Sequence, residues 1–168
     1  MATASSPLAG YTSVVLTVSD RCFAGTQTDL SGPAVARLLS EAGAEVPGVR
    51  VVADEQTDIV AALRKAAQHA ALVVTTGGTG VAARDVTPEA TLAVCSRLVP
   101  GLAELIRQDG AHHTPFAALG RGICGILGQT LMINLPGSPS GAESSLRVVL
   151  PVLPHALDLL AGKTSHKG

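Results

Sequence analysis

Thr75, Thr76, Gly77, Gly78, Thr79 and Gly80 close an apolar run and form the sharpest chemical feature of this sequence. Glycines after a buried strand let the backbone come close to a ligand and turn its N–H groups inward. Threonine hydroxyls add further donors without adding charge. Such a loop suits an anion, phosphate above all, although an ordinary strand-to-helix turn uses the same residue types. Gly78, Gly80 and Ala83 formally match the dinucleotide pattern GxGxxA. The next helix-start signals come only at Thr87 and Pro88, however, too far away for the tight turn that pattern needs. The phosphate-binding pattern GxxxxGK[ST] is absent, so a phosphate has to be held by another geometry.

Three carboxylates follow apolar runs in the same way. Asp20 stands in Ser19-Asp20-Arg21, Asp54 in Ala53-Asp54-Glu55, and Asp85 in Arg84-Asp85-Val86-Thr87-Pro88. Singly, each reads as a loop charge or a strand-end turn. Beside a phosphate cradle, three carboxylates repel the ligand unless a divalent cation lies between, which points to Mg²⁺. Arg21 and Arg84 can offset phosphate charge by bidentate bonding or form surface ion pairs. A fourth loop, Asn134-Leu135-Pro136-Gly137-Ser138-Pro139, offers backbone donors at Gly137 and Ser138 on a proline-stiffened frame.

Other chemistries find less support. His69, His112, His113, His155 and His166 lack metal-ligand spacing, and adjacent helical residues such as His112 and His113 point about 100° apart. No GxSxG elbow supports a serine nucleophile. Cys22, Cys95 and Cys124 are far apart and odd in number, which fits reduced thiols in a cytoplasmic protein.

The elements that must position these residues follow from hydrophobic patterning. Apolar, β-branched runs at residues 13–19, 49–53, 71–76 and 131–135 read as buried strands. Ser31 as N-cap with Pro33 in the first turn starts a helix that Gly43 can stop. Thr57 can cap a second helix through Ile59, Val60, Leu63 and Ala67. Thr87, Pro88 and Glu89 start a third, with Pro100 and Gly101 ending it and a short helix following. Residues 114–130 suggest turns and a small hairpin. A last helical stretch runs from about 141 to 160, broken at Pro151 or Pro154. This alternation predicts a mostly parallel sheet between helical layers, with ligands at the carboxyl ends of the strands, where the loops above lie.

Bulk properties agree. The 168 residues suit one domain over 1–168, with frayed ends at about 1–10 and 163–168. Hydrophobic residues reach 46% but aromatics only 2%, so the core is built from Ala, Val, Leu and Ile, as in helices packed on a parallel sheet. A net charge of −1 and the lack of aromatic stacking platforms exclude a typical nucleic-acid binder. No apolar run reaches membrane-spanning length, and no secretory signal is visible.

In order and spacing, SDRCFAGTQTDLSG (19–32), ADE (53–55), TTGGTGVAARDVTPEAT (75–91), PGLAELIR (100–107), TPFAALGRG (114–122) and NLPGSP (134–139) resemble the Mog/MoaB family. That family includes the molybdopterin-binding domain of gephyrin and the plant molybdenum-insertion proteins. The resemblance spans nearly the whole chain. It implies a three-layer α/β/α sandwich of the molybdopterin-binding type, assembled as a homotrimer. It implies Mg²⁺-dependent transfer of AMP from ATP to the terminal phosphate of molybdopterin, with a molybdenum-insertion protein as a partner. It places the essential carboxylates at Asp54 and Asp85 and the pocket around the segments 75–80 and 134–139. A carrier or regulatory role, binding molybdopterin without catalysis, is the alternative within the same family. One departure is Gly120, where some adenylylating members have a serine before the arginine.

Overall fold

The computed structural model describes residues 6–163. Six strands, β1 (Ser13–Val18), β2 (Val49–Val52), β3 (Leu72–Thr76), β4 (Arg97–Leu98), β5 (Cys124–Leu127) and β6 (Thr130–Leu135), form one sheet in the order β2-β1-β3-β6-β5-β4. The first four in that order are parallel, and the β6–β5–β4 edge is antiparallel. The helices are α1 (Asp20–Phe23), α2 (Ser31–Glu41), α3 (Gln56–Ala67), α4 (Thr87–Val94), α5 (Pro100–His113), α6 (Pro139–Val149) and α7 (Leu153–Leu160).

Alternating residues of the central strands face two separate cores, the period-two consequence of the pleat. Val15, Leu72, Val74, Leu131 and Ile133 pack against α2, α5, α6 and α7 through Leu39, Leu102, Leu146 and Leu153. Leu16, Val73 and Met132 point the other way, onto Ile59 and Leu63 of α3 and Ala90 and Val94 of α4. The result is the expected α/β/α sandwich with a mostly parallel sheet. Because α2 and α3 cover opposite faces, the chain reverses its winding between β1 and β3. A crevice opens at such a switch point, beyond the carboxyl ends of the strands.

Several boundaries differ from the sequence expectation. The loop after β1 contains the single-turn α1, capped by Ser19, whose hydroxyl accepts the Cys22 amide. Ser31 lies inside α2 and is not its cap; the Asp29 carboxylate accepts the Gly32 amide there instead. Likewise α3 begins at Gln56, so Thr57 is not a cap. Pro100 and Gly101 open the 14-residue α5, and the preceding helix already ends at Val94. A proline without its N–H suits a first turn as well as a stop, and sequence alone favoured the wrong one. Residues 114–130 hold a 3₁₀ turn (Pro115–Leu119) and the β5–β6 hairpin. The final helix breaks into α6, a 3₁₀ turn and α7 near the two prolines, as expected. Within the expected frayed ends, Leu8 is buried and its amide donates to Ala42 O, which anchors residues 6–10 while Ser6, Pro7, Ala9 and Gly10 stay exposed. The expectations for 1–5 and 164–168 lie outside the described residues.

Candidate active site

Loops following β1, β2, β3 and β6 converge at the switch point. Asp20 and Asp54 are joined by reciprocal bonds: Asp54 Oδ2 accepts the Asp20 amide at 2.8 Å, and Asp20 Oδ1 accepts the Asp54 amide at 3.0 Å. Their electrostatic states then diverge. Arg84 grips Asp20 in bidentate fashion, Nε to Oδ2 at 2.7 Å and Nη2 to Oδ1 at 3.1 Å, and reaches Glu55 at 2.8 Å. Those bonds hold the Asp20 carboxyl below the usual range. Burial, followed by the charges of Asp20 and Asp85, pushes Asp54 above it, against the bond from the Asp20 amide and the charge of Arg84. Asp85 Oδ2 accepts the Ala82 amide at 3.0 Å. Among the described residues, Oδ1 of Asp54 and Oδ1 of Asp85 have no hydrogen-bond partner.

The glycine loop is shaped by its own surroundings. Gly77 and Gly78 have φ of +89° and +65°, the left-handed region that favours glycine. A Cβ on Gly77 would collide with Val18 O, and one on Gly78 with the Thr87 hydroxyl. That hydroxyl donates to Gly77 O at 2.9 Å, and the Thr87 amide donates to Gly78 O at 3.0 Å. Gly137 stacks against the same turn: a Cβ there would lie 3.2 Å from Gly77 Cα. The close approach expected of these glycines is thus made first to the protein's own chain.

Buried hydroxyls and an amide brace the strand ends from beneath. Asn134 Nδ2 donates to Thr75 Oγ1 and Thr91 Oγ1, both at 3.0 Å, and its Oδ1 accepts the Ile123 amide at 3.1 Å. Thr76 Oγ1 meets Ser31 Oγ at 2.9 Å. Thr75 borders neither cavity of the site and serves as this support.

Two cavities flank the glycine turn. One, of about 560 Å³, is bordered by Ser19, Asp20, Arg21, Asp29, Asp54, Thr76 and Gly77. The other, of about 680 Å³, is bordered by Thr79, Gly80, Arg107, Asn134, Pro136, Ser140 and Ser144. Gly78, Asp85, Gly137 and Ser138 border both. Ser138 is the N-cap of α6, its hydroxyl accepting the Gly141 amide, so the positive end of that helix faces the junction.

The structure adds residues that the sequence reading passed over. Asp29 accepts the Thr17 hydroxyl at 2.7 Å and borders the smaller cavity. Its signal was a carboxylate just ahead of a helix start. Arg107, partly buried, borders the larger cavity and donates once, to Gly122 O at 3.0 Å. Among the described residues it has no carboxylate within ion-pair distance, unlike Arg84 and Arg121. Nothing in the PGLAELIR segment marked it apart from any helical arginine.

Asp54 and Asp85 thus each keep one carboxylate oxygen free of hydrogen bonds among the described residues. Among the described residues, no group of three acidic, histidine or cysteine side chains is close enough to hold an ion alone. That donor set fits Mg²⁺, which takes one or two protein carboxylates and completes its shell with phosphate oxygens and water. The third carboxylate of the sequence argument, Asp20, is occupied by Arg84. Burial pushes the Cys95 and Cys124 thiols up to about 11 and about 12, making them inert core residues.

Comparison with known proteins gives one consistent answer. Residues 14–155 match the family described as "Probable molybdopterin binding domain". The molybdopterin adenylyltransferase of Helicobacter pylori strain J99 is 43% identical over 152 residues, covering 88% of this chain and 86% of that protein. The molybdenum cofactor biosynthesis bifunctional protein of Synechococcus elongatus is 41% identical over 156 residues, 92% of this chain but 49% of its own length. Among solved structures, the molybdopterin biosynthesis enzyme MoaB of Thermus thermophilus superposes with a TM-score of 0.85 at 49% identity, covering 90% of this chain and 97% of that one.

Proposed function

The chain belongs to the molybdopterin-binding domain family, and from that premise we propose that it is a molybdopterin adenylyltransferase, moving AMP from ATP to the terminal phosphate of molybdopterin. An oxygen of that phosphate attacks the α-phosphorus of ATP. The bond from the α-phosphorus to the bridging oxygen breaks, and pyrophosphate leaves with the electron pair. No proton has to move, so catalysis reduces to positioning and charge neutralisation.

The observation that supports this best is the meeting of two cavities at Asp85, Gly78, Gly137 and Ser138. A transfer enzyme has to bring two anionic ligands together at one point, whereas a carrier needs a single pocket. The smaller cavity, walled by carboxylates, takes the triphosphate through a cation; the larger takes molybdopterin. Asp54 and Asp85 would hold Mg²⁺, which when bound neutralises phosphate charge in the transition state. The N-terminal end of α6 and the amides of residues 78–80 face the oxygens at the junction, the Gly77 amide being held by Leu135 O. Arg107 supplies an unpaired guanidinium to the anionic ligand of the larger cavity.

We place this activity in a single domain working as a cytoplasmic homotrimer. Its three free thiols suit a reducing compartment, and no helix among the described residues is long and apolar enough to cross a membrane. Light scattering that gave a monomer at micromolar concentration would remove the trimer. The bifunctional relative of twice the length favours a molybdenum-insertion protein as the consumer of the product.

The deciding experiment incubates the purified protein with molybdopterin, ATP and Mg²⁺. Adenylylated molybdopterin and pyrophosphate are expected in equal amounts. Tight molybdopterin binding with no product would establish the carrier alternative instead.

A further inference from the structure

Arg121 lies between the 3₁₀ turn and β5, far along the chain from the loop after β3, yet it directs its donors to that loop. Nε donates to Gly80 O at 2.7 Å and Nη2 to Asp85 O at 2.6 Å. The main-chain amide donates to Thr79 O at 2.8 Å. Nη1 meets the carboxylate of Glu89, in the first turn of α4. Arg121 borders neither cavity of the site, while Thr79, Gly80 and Asp85 do. It therefore stands behind the loop whose other side forms the cavity wall.

Peptide planarity gives this arrangement a consequence. A carbonyl turned toward Arg121 turns the N–H of the same peptide unit the opposite way. Three carbonyls held back at once orient the amides of Gly80, Val81 and Val86 away from Arg121. They also fix the backbone of Asp85, so the direction of its carboxylate follows. A lysine offers one compact ammonium and cannot reach acceptors spread across a plane as a guanidinium fork does.

We propose that Arg121 is a positioning residue that sets the aim of Asp85 and the amides of the 79–86 loop without touching either substrate. Its kinetic consequences rest on the adenylyl-transfer reading; its effect on the loop does not. Glu89 in turn holds the guanidinium, and the two act as one strut between α4 and the β5 edge.

The test uses Arg121→Lys, Arg121→Ala and Glu89→Gln in the full chain. Amide hydrogen exchange within 79–86 is expected to speed up by roughly tenfold or more in Arg121→Lys and less in Glu89→Gln, with the central strands unchanged. Single-turnover transfer in Arg121→Lys is expected to fall by about tenfold or more, with the molybdopterin Kd within about threefold of the parent. Placed in an Asp85→Asn background, Arg121→Lys is expected to add less than about twofold, because both changes remove one function. Guanidinium ion is expected to restore part of the rate in Arg121→Ala, which general loss of structure would not allow. Unchanged exchange in 79–86, or losses that multiply fully with Asp85→Asn, overturns the proposal. So does a weakened molybdopterin Kd with an intact rate at saturation, which would make Arg121 a direct contact. If the parent protein forms no adenylylated molybdopterin, the functional reading fails, and the exchange data still decide the role of Arg121.

Discussion

On the β1–β2 side of Ser138 the cavity wall presents Asp20, Asp29 and Asp54, whereas on the α5–α6 side it presents Arg107, Ser140 and Ser144. Both walls serve anionic ligands under the proposed reaction, yet they are built with opposite charge. A wall dominated by carboxylates, with Arg21 beside them, holds phosphate mainly through a cation, so affinity there depends on metal and on the ionisation of Asp54. A wall with a lone guanidinium and hydroxyls holds an anion directly. The two substrates are thus separated by mechanism of binding as well as by place. Asp85, at the seam, belongs to both.

The largest effect is expected at that seam. Asp85→Asn keeps the side-chain volume and the acceptor for the Ala82 amide but removes the charge. Losing metal-mediated stabilisation should slow transfer by at least ~100-fold. Molybdopterin binding should change little, because Arg107, Ser140 and Ser144 of the larger cavity are untouched. Single-turnover rate beside equilibrium binding checks this; a near-normal rate, or lost molybdopterin binding, would mean that the seam divides the two walls wrongly.

That seam also marks where the sequence was informative. Asp54, Asp85 and the glycine turn were legible because strand, carboxylate and glycine follow one another locally, and the switch-point rule gathers strand ends into one place. Asp20 was legible as a position but not as a state: its neutralisation by Arg84 depends on a contact 64 residues away. Arg107 and Arg121 were not legible as site residues, since a helical arginine and a loop arginine have no local mark. Pro100 misled because first-turn and terminating prolines look alike until the β4–β5 pairing before α5 is known.

A second prediction concerns Arg107 alone. Arg107→Gln keeps a donor for Gly122 O and removes the unpaired charge. Molybdopterin binding is expected to weaken by roughly tenfold, the worth of one charge-assisted hydrogen bond, and to lose part of its salt dependence. ATP binding in the presence of Mg²⁺ should hold within about twofold. Equal losses for both ligands would abolish the division between the walls.

A smaller and oppositely signed effect is expected from Asp54 in the free protein. Its folded pKa is raised, chiefly by burial, so the folded state holds its proton more tightly than the unfolded chain. Stability is therefore lost as pH rises from the ordinary carboxylate range through the raised value, and the loss persists at neutral pH. Asp54→Asn removes it: without metal, the unfolding midpoint at pH 7 should stay level or rise, while transfer collapses. A clear fall in the midpoint would mean that the Asp54 charge stabilises the fold, and the carboxylate wall would need no cation.

The smallest effect is expected at Gly120, which borders the larger cavity. Its φ of −69° and ψ of 121° are ordinary for any residue, so a side chain brings no backbone strain. A Cβ would sit 3.1 Å from Ala117 O, close enough that the 3₁₀ turn must yield by a few tenths of an ångström. That crowding should cost about 0.5 kcal/mol of stability. A serine hydroxyl facing the ligand would add one neutral hydrogen bond, worth ~0.5–1.5 kcal/mol. The crowding burdens free and bound protein alike and drops out of the binding equilibrium, so at the lower end of the hydrogen-bond range Gly120→Ser should tighten molybdopterin binding by about threefold. Tightening well beyond that would show that neutral hydroxyls dominate this wall. Arg107 would then be a minor contributor, and the contrast between the walls would be one of metal dependence alone.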